Sequence, residues 1–477
     1  MNENMLRPVF LSFFLYRLII LISFFLSSFF LSSLAVHAEA GDLLISGSSD
    51  EDLLNEMLYF EQEKPSDKEE DLKNTVKNDT KPGFAIRGHY KNIMAWSGSD
   101  SFLNNADSLP EKRKMFASLN RVRISPELKY GQNLFIHADI DNQVILSDYA
   151  HTRTFDLYWY PSNYNDLCDP SFESKISEDA EYRFNIHRLY AKLVSGDFTM
   201  TIGRQQIRYG SGRLWNPLDL LNPISPTFIE GAEDQKGTDA VRVEYYPGSS
   251  SEISIVYAPH RKNDKMDSRI FANRNTNLVG RYKTTVNDME MAVLGGRVAG
   301  KDIAGIDIAG IINKGMLRGS LVFASPDDGD HYFMASAGYE YNFQNGIYCM
   351  VEYFFNENAF NDKPELKEAY MGVISGRMTD KTYRTVSNTF LTFNSHYTGI
   401  ALGYDITPLM RAELFLMADF EGQGIFYSPA LKYNLLQNLD LTFSAMLGHV
   451  RNQEGTPSDF ASFEDHPLFS GTIQWYF

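Results

Sequence analysis

From Gly83 to Phe477 polar and apolar residues alternate. The segments ELKY at 127–130, DAVRVEY at 239–245 and NLDLTFSAML at 438–447 show the period clearly. A period of two sends successive side chains to opposite faces, so each segment predicts a strand with one wet face. Eighteen strands are predicted: 84–96, 115–129, 134–145, 183–194, 198–207, 238–246, 251–259, 276–284, 288–299, 302–312, 315–324, 331–342, 346–356, 395–406, 409–419, 425–434, 438–448 and 470–477.

The connections sort by parity. Every second one is tight: YGQN at 130–133, SGD at 195–197, PGSS at 247–250, ND at 287–288, NKG near 313–315, FQN at 343–345, TP at 407–408 and LLQ at 435–437. These are hairpin-turn residues. The intervening connections are mostly long: 97–114, 146–182, 208–237, 260–275, 357–394 and 449–469. A soluble sandwich has no reason for such sorting. A transmembrane barrel does, with short periplasmic turns and long external loops. The fold expected is all-β: an antiparallel transmembrane barrel of about 18 strands spanning 83–477.

The amino-terminal part is different material. An apolar run over 6–34, with Arg7 and Arg17 on it, ends in Leu34-Ala35-Val36-His37-Ala38. Val36 and Ala38 supply the small residues of a signal-peptidase site, so 1–38 reads as a signal peptide. An uncleaved anchor is the alternative, because the run is long enough to span a bilayer. Residues 39–82 form an acidic periplasmic segment or linker, with Leu53, Leu54, Met57 and Leu58 at helical spacing.

Composition narrows the class. The 44 Lys+Arg against 61 Asp+Glu, a formal charge of −17, argue against nucleic acid as a partner. Two cysteines, Cys168 and Cys349, exclude a disulfide scaffold and a cysteine-based metal centre. The ten histidines are scattered, and no metal or cofactor is expected. A mean hydropathy of −0.29 excludes a helical membrane bundle but not a barrel, where only alternate residues face lipid. Aromatic residues near strand ends fit an interfacial girdle: Tyr130, Tyr245, Tyr246, Tyr353, Phe354, Phe355, Tyr427 and Tyr433.

The last strand, SGTIQWYF, alternates aromatic residues and stops on Phe477. It resembles the assembly signal of bacterial outer-membrane barrels. That resemblance implies a Gram-negative outer membrane, its lipid and the barrel assembly machinery as partners. The segment 395–448, opening SHYTGIALGYDITPLMRAELFLM, resembles the carboxy-terminal hairpins of alginate-export-like outer-membrane channels. So does GRQQIRYGSGRLWNPLDLLNPISP at 203–226, with its Gly-Arg-Gln strand end and Asn-Pro-rich loop. The resemblance implies a porin-like channel without naming alginate as its substrate.

Strand parity assigns the wall. Arg121, Arg123 and Glu127 oppose Val122, Ile124 and Leu128; Arg188 and Lys192 oppose Leu189 and Leu193. Arg242 and Glu244 oppose Val241 and Val243, and Arg281 and Lys283 share one parity. Asp139 and Asp141 take the wet face of 134–145. A Lys or Arg on lipid costs about 2–4 kcal/mol at the midplane, so these residues belong in the lumen. Two readings stand: a cationic track for an anionic solute, or paired charges that prop the barrel open. The loop 208–237 carries Arg208, Arg213 and Asp219 among Leu214, Trp215, Leu218, Leu220, Leu221 and Ile224, stiffened by Pro217, Pro223 and Pro226. It is too apolar for an exposed loop, so it either folds inward as a constriction or caps the rim. No catalytic set is expected. Ser395-His396 and Asp330-His331 are adjacent pairs, and strand neighbours point to opposite faces.

The function expected is passive or facilitated passage of a hydrophilic solute, an anionic one on the cationic-track reading. The alternatives are an export pore for an anionic exopolysaccharide, and a non-conducting barrel acting as adhesin or scaffold.

Overall fold

The computed structural model describes residues 82–99, 113–148, 150, 167, 170–221, 237–259, 276–327, 330–360, 392, 394–451 and 458–477. The expected signal peptide, the acidic segment up to residue 81 and Cys168 lie outside them.

Alternation becomes strand at each of the eighteen predicted places. In chain order the strands are β1 (Gly83–Ser99), β2 (Arg113–Tyr130), β3 (Leu134–Ser147), β4 (Phe172–Ser177), β5 (Ala180–Ser195), β6 (Phe198–Gln205) and β7 (Thr238–Gly248). Then come β8 (Ser251–Pro259), β9 (Thr276–Val286), β10 (Met289–Val298), β11 (Lys301–Ile312), β12 (Gly315–Pro326) and β13 (Tyr332–Asn342). The last are β14 (Ile347–Asn356), β15 (His396–Thr407), β16 (Met410–Asp419), β17 (Gly424–Leu436), β18 (Leu439–Val450) and β19 (Leu468–Tyr476). A short helix, α1 (Ala461–Asp465), precedes β19.

All pairings are antiparallel between wall neighbours, and β19 pairs with β1, so the sheet closes on itself. Closure pairs both edges of the strands that form the wall, the condition for crossing hydrocarbon. The wall has 18 strands. The nineteenth, β4, was not predicted. Among the described residues it pairs only with β5, over Ala180–Phe184, whereas β6 pairs with β5 from Leu189 onward.

Burial separates the two faces. Val256 and Val322 point inward and are 0% exposed, whereas Val293 and Ile306 point outward and are 52% exposed. An outward apolar band of that kind needs lipid around it. The girdle assignment needs one correction. Tyr353 and Phe355 face out, but Phe354 faces the lumen and is 0% exposed, because its parity on β14 is the opposite one.

The turn end is built from short reversals. Asn287 and Asp288 (φ 49° and 63°), and Asn313 and Lys314 (φ 50° and 68°), form two-residue turns with both residues left-handed. The loop end is less uniform. The connections at 299–300, 327–331 and 420–423 are also short. On β5 the regular alternation fails once: Asp139 pairs with Arg188 but Ile140 pairs with Ile186, so His187 bulges out of register. His187 is buried beside Asp141, with Nδ1 3.7 Å from the carboxylate.

Candidate functional site

The connection after β6 enters the barrel. Over 206–221 it runs along the inner wall, and its contacts pass from strand to strand. The Tyr209 hydroxyl lies 3.4 Å from Ser254 Oγ on β8, and the Arg281 guanidinium of β9 sits 5.1 Å over the Tyr209 ring. The Ser211 N–H and hydroxyl both donate to Asp307 of β11, at 2.9 and 2.8 Å. Three consecutive backbone N–H groups, of Arg213, Leu214 and Trp215, donate to the Glu352 carboxylate of β14 at 2.8, 3.0 and 2.7 Å. The Arg213 side chain turns instead to Glu340 of β13, 3.2 Å away.

Apolar packing completes the docking. Trp215 stacks on Phe354 with centroids 5.7 Å apart and planes 8° from parallel, and it tilts against Tyr397 of β15. The close approach is made at Gly399. A Cβ there would lie 2.1 Å from Leu214 Cδ1 and 3.0 Å from Trp215 Cζ3, so only glycine leaves room. Trp215, Leu218 and Leu221 are each at most 2% exposed. Inside the loop, Asn216 Nδ2 donates to the Tyr209 carbonyl at 2.7 Å and its Oδ1 accepts from the Leu218 N–H at 3.3 Å. Arg208 and Asp219 pair at 3.7 Å. Burial, offset in part by the Asp219 carboxylate, lowers the Arg208 guanidinium to about 9. Ile224, Pro223 and Pro226 fall outside the described residues.

The sequence-predicted wall residues all fall on inward positions. Arg123 is bound bidentately to Asp141, Nε to Oδ1 at 2.6 Å and Nη2 to Oδ2 at 2.8 Å, and Arg121 approaches the same carboxylate at 3.8 Å. Asp139 accepts from Ser125 Oγ at 2.6 Å, with His137 at 3.0 Å and Arg188 at 3.8 Å. Glu127 lies 3.5 Å from His137. Arg242 meets Glu244 at 3.4 Å, and Arg281 meets Glu252 at 3.3 Å. Lys192 and Lys283 have no carboxylate partner among the described residues. Strand register places Lys129, Phe135, Lys192, Thr201 and Arg242 in one row across β2, β3, β5, β6 and β7.

Several inward residues were not anticipated. Glu340 gathers Arg213, Arg318 at 2.7 Å and the Tyr348 hydroxyl at 2.7 Å. Arg411 joins Glu413 and Asp405. Glu352 and Asp307 anchor the loop. Glu352 had one available signal: it is the only charged residue of IYCMVEYFFN, on inward parity. Its role could not be read from that signal, because its ligands come from a loop more than 130 positions away.

Comparison with known proteins bears on the fold. No protein-family model matches the chain, and no curated protein matches its sequence. Among solved structures, OccK8 (OprE) of Pseudomonas aeruginosa is similar over 83% of this chain and 98% of its own, with a TM-score of 0.50 and 10% identity. OpdQ of the same organism covers 83% and 97%, at TM-score 0.47 and 9% identity. OccAB3 of Acinetobacter baumannii covers 82% and 99%, at 0.46 and 10%. At such identities likeness speaks to architecture alone, and the first match carries it: the chain has the closed antiparallel 18-strand barrel fold of outer-membrane porins.

Proposed function

We propose that the protein is a channel for hydrophilic solutes in the outer membrane of a Gram-negative bacterium, with 206–221 as its constriction. One observation carries the reading. Beyond its stem, the described part of the loop docks on β8 to β15, and Glu127, Lys129 and Lys192 on β2 and β5 keep part of their surface exposed. Eighteen strands enclose enough room for an aqueous path beside an inward loop. Lys129 and Lys192, near the turn end and without a carboxylate partner among the described residues, favour anionic solutes, since a low-dielectric wall focuses the field of fixed cations on the lumen. The resemblance at 203–226 and 395–448 keeps export of an anionic exopolysaccharide as the second reading.

The test is single-channel recording of purified protein in planar bilayers, with wild type beside a 211–221 deletion. The deletion is expected to raise conductance markedly while the barrel keeps its heat-modifiable gel mobility. Equal conductance would remove the constriction. Silence in both proteins would remove the channel and leave the adhesin or scaffold reading.

A further inference from the structure

The turn end of the lumen carries cations that the wall leaves without acid. Arg87 of β1, Lys129 of β2 and Lys192 of β5 share inward parity; Arg87 is exposed and the two lysines are half-buried. Register brings them close to the place where β1 begins. Gly83 faces Lys129, Lys129 faces Phe135, and Phe135 faces Lys192. Arg87 stands opposite Ser125 on the same pair of strands. A strand spacing of about 4.8 Å puts Lys192 about 15 Å from Gly83 across the wall. Neighbouring carboxylates are already engaged: Glu127 lies 3.5 Å from His137, Glu244 3.4 Å from Arg242 and Glu252 3.3 Å from Arg281. Among the described residues no carboxylate pairs with Arg87, Lys129 or Lys192. Lys129 approaches only the Phe135 ring, 5.9 Å from its centroid.

The complementary charge lies in the same chain, just ahead of β1. Residues 50–71 hold ten Asp or Glu against Lys64 and Lys68. Asp71 is 12 positions before Gly83. An extended chain covers at most about 3.6 Å per residue, so this tether reaches roughly 40 Å, well beyond Lys192. Because β1 starts at the turn end, the segment is delivered to that mouth. A short tether holds its segment there at an effective concentration of about 1 mM. The low-dielectric wall strengthens the attraction, and salt screens it over about 10 Å at 0.1 M.

We infer that the acidic segment 50–71 docks in the turn-end mouth on Arg87, Lys129 and Lys192, and there limits the entry of anions. Segment and solute compete for one set of cations. Occupancy is therefore set by ionic strength and by the load of anionic solute on the turn side. The effect on passage rests on the channel reading above, whereas the docking contact is readable without conduction.

The test pairs carbodiimide coupling in isolated outer membranes with recording in planar bilayers. Carbodiimide joins a carboxylate to a lysine amine in contact with it. At low salt, mass spectrometry of the full chain should find peptides linking 50–71 to Lys129 or Lys192. In about 1 M salt, where screening length falls to roughly 3 Å, their yield should drop about tenfold or more. At low salt a 50–71 deletion should conduct more than wild type, with its reversal potential shifted toward anions. Both differences should vanish when Arg87→Gln, Lys129→Gln and Lys192→Gln are added to each protein. No linked peptide, links from 50–71 only to a different protein, or a deletion that conducts and selects like wild type overturns the inference. Linked peptides from a protein that is silent in the bilayer with and without the segment uphold the docking and overturn the channel reading instead.

Discussion

Gly88 and Phe477 exchange two backbone hydrogen bonds, each 2.9 Å, and so close the ring at the carboxy-terminal residue. The Phe477 ring lies over Gly88. A Cβ at Gly88 would stand 2.6 Å from that ring and 2.5 Å from the Arg123 carbonyl. The two residues form one seam between the first and last strands.

Gly88→Ala is therefore expected to lower barrel stability by about 1–3 kcal/mol, the usual cost of overpacking. Deleting Phe477 removes both hydrogen bonds, worth about 1 kcal/mol each, together with the ring. Urea midpoints of detergent-refolded protein measure both. A midpoint unchanged on deletion would mean that closure does not depend on the last residue.

Glu352 holds the inward loop by its carboxylate. Glu352→Ala leaves three loop N–H groups without their acceptor, about 1–3 kcal/mol for each that stays buried. The loop should leave the wall while the barrel persists. Larger and noisier single-channel conductance is the expected result, with gel mobility unchanged.

Gly399→Val attacks the same docking from the apolar side. The new side chain occupies the space of Leu214 and Trp215. Trp215→Ala removes the stack on Phe354, about 3–5 kcal/mol for a buried Trp. Both variants should expose the loop to trypsin at Arg213, read as fragment yield against wild type.

Selectivity should follow the cations that lack a carboxylate rather than those that have one. Lys192→Ser with Lys283→Ser is expected to shift the reversal potential toward cations in a salt gradient. Arg123→Ser instead leaves Asp141 buried without its bidentate partner, a change costing about 3–5 kcal/mol. Its main effect should be a lower unfolding midpoint. A large selectivity shift from Arg123→Ser alone would return the cationic track to Arg121 and Arg123.

Strand positions were legible in the chain because their signal is local. Parity of adjacent residues decides which face each side chain takes, and Arg121, Asp139, Arg242 and Lys283 fall on the expected side. The tight turns were legible for the same reason, since Asn287-Asp288 tolerates the left-handed conformation that a two-residue hairpin requires. Pairings between distant segments carry no such local mark. The His187 bulge, the extra strand at 172–177, the lumen position of Phe354 and the clasp of Glu352 on 213–215 each depend on what lies opposite after closure. The same limit held for charge. Sequence alone set Arg123 and Asp141 on the wet face, but only the register of β2 on β3 brings them within 2.6 Å. Alternation is a property of neighbours along one strand, whereas partnership is a property of the closed ring.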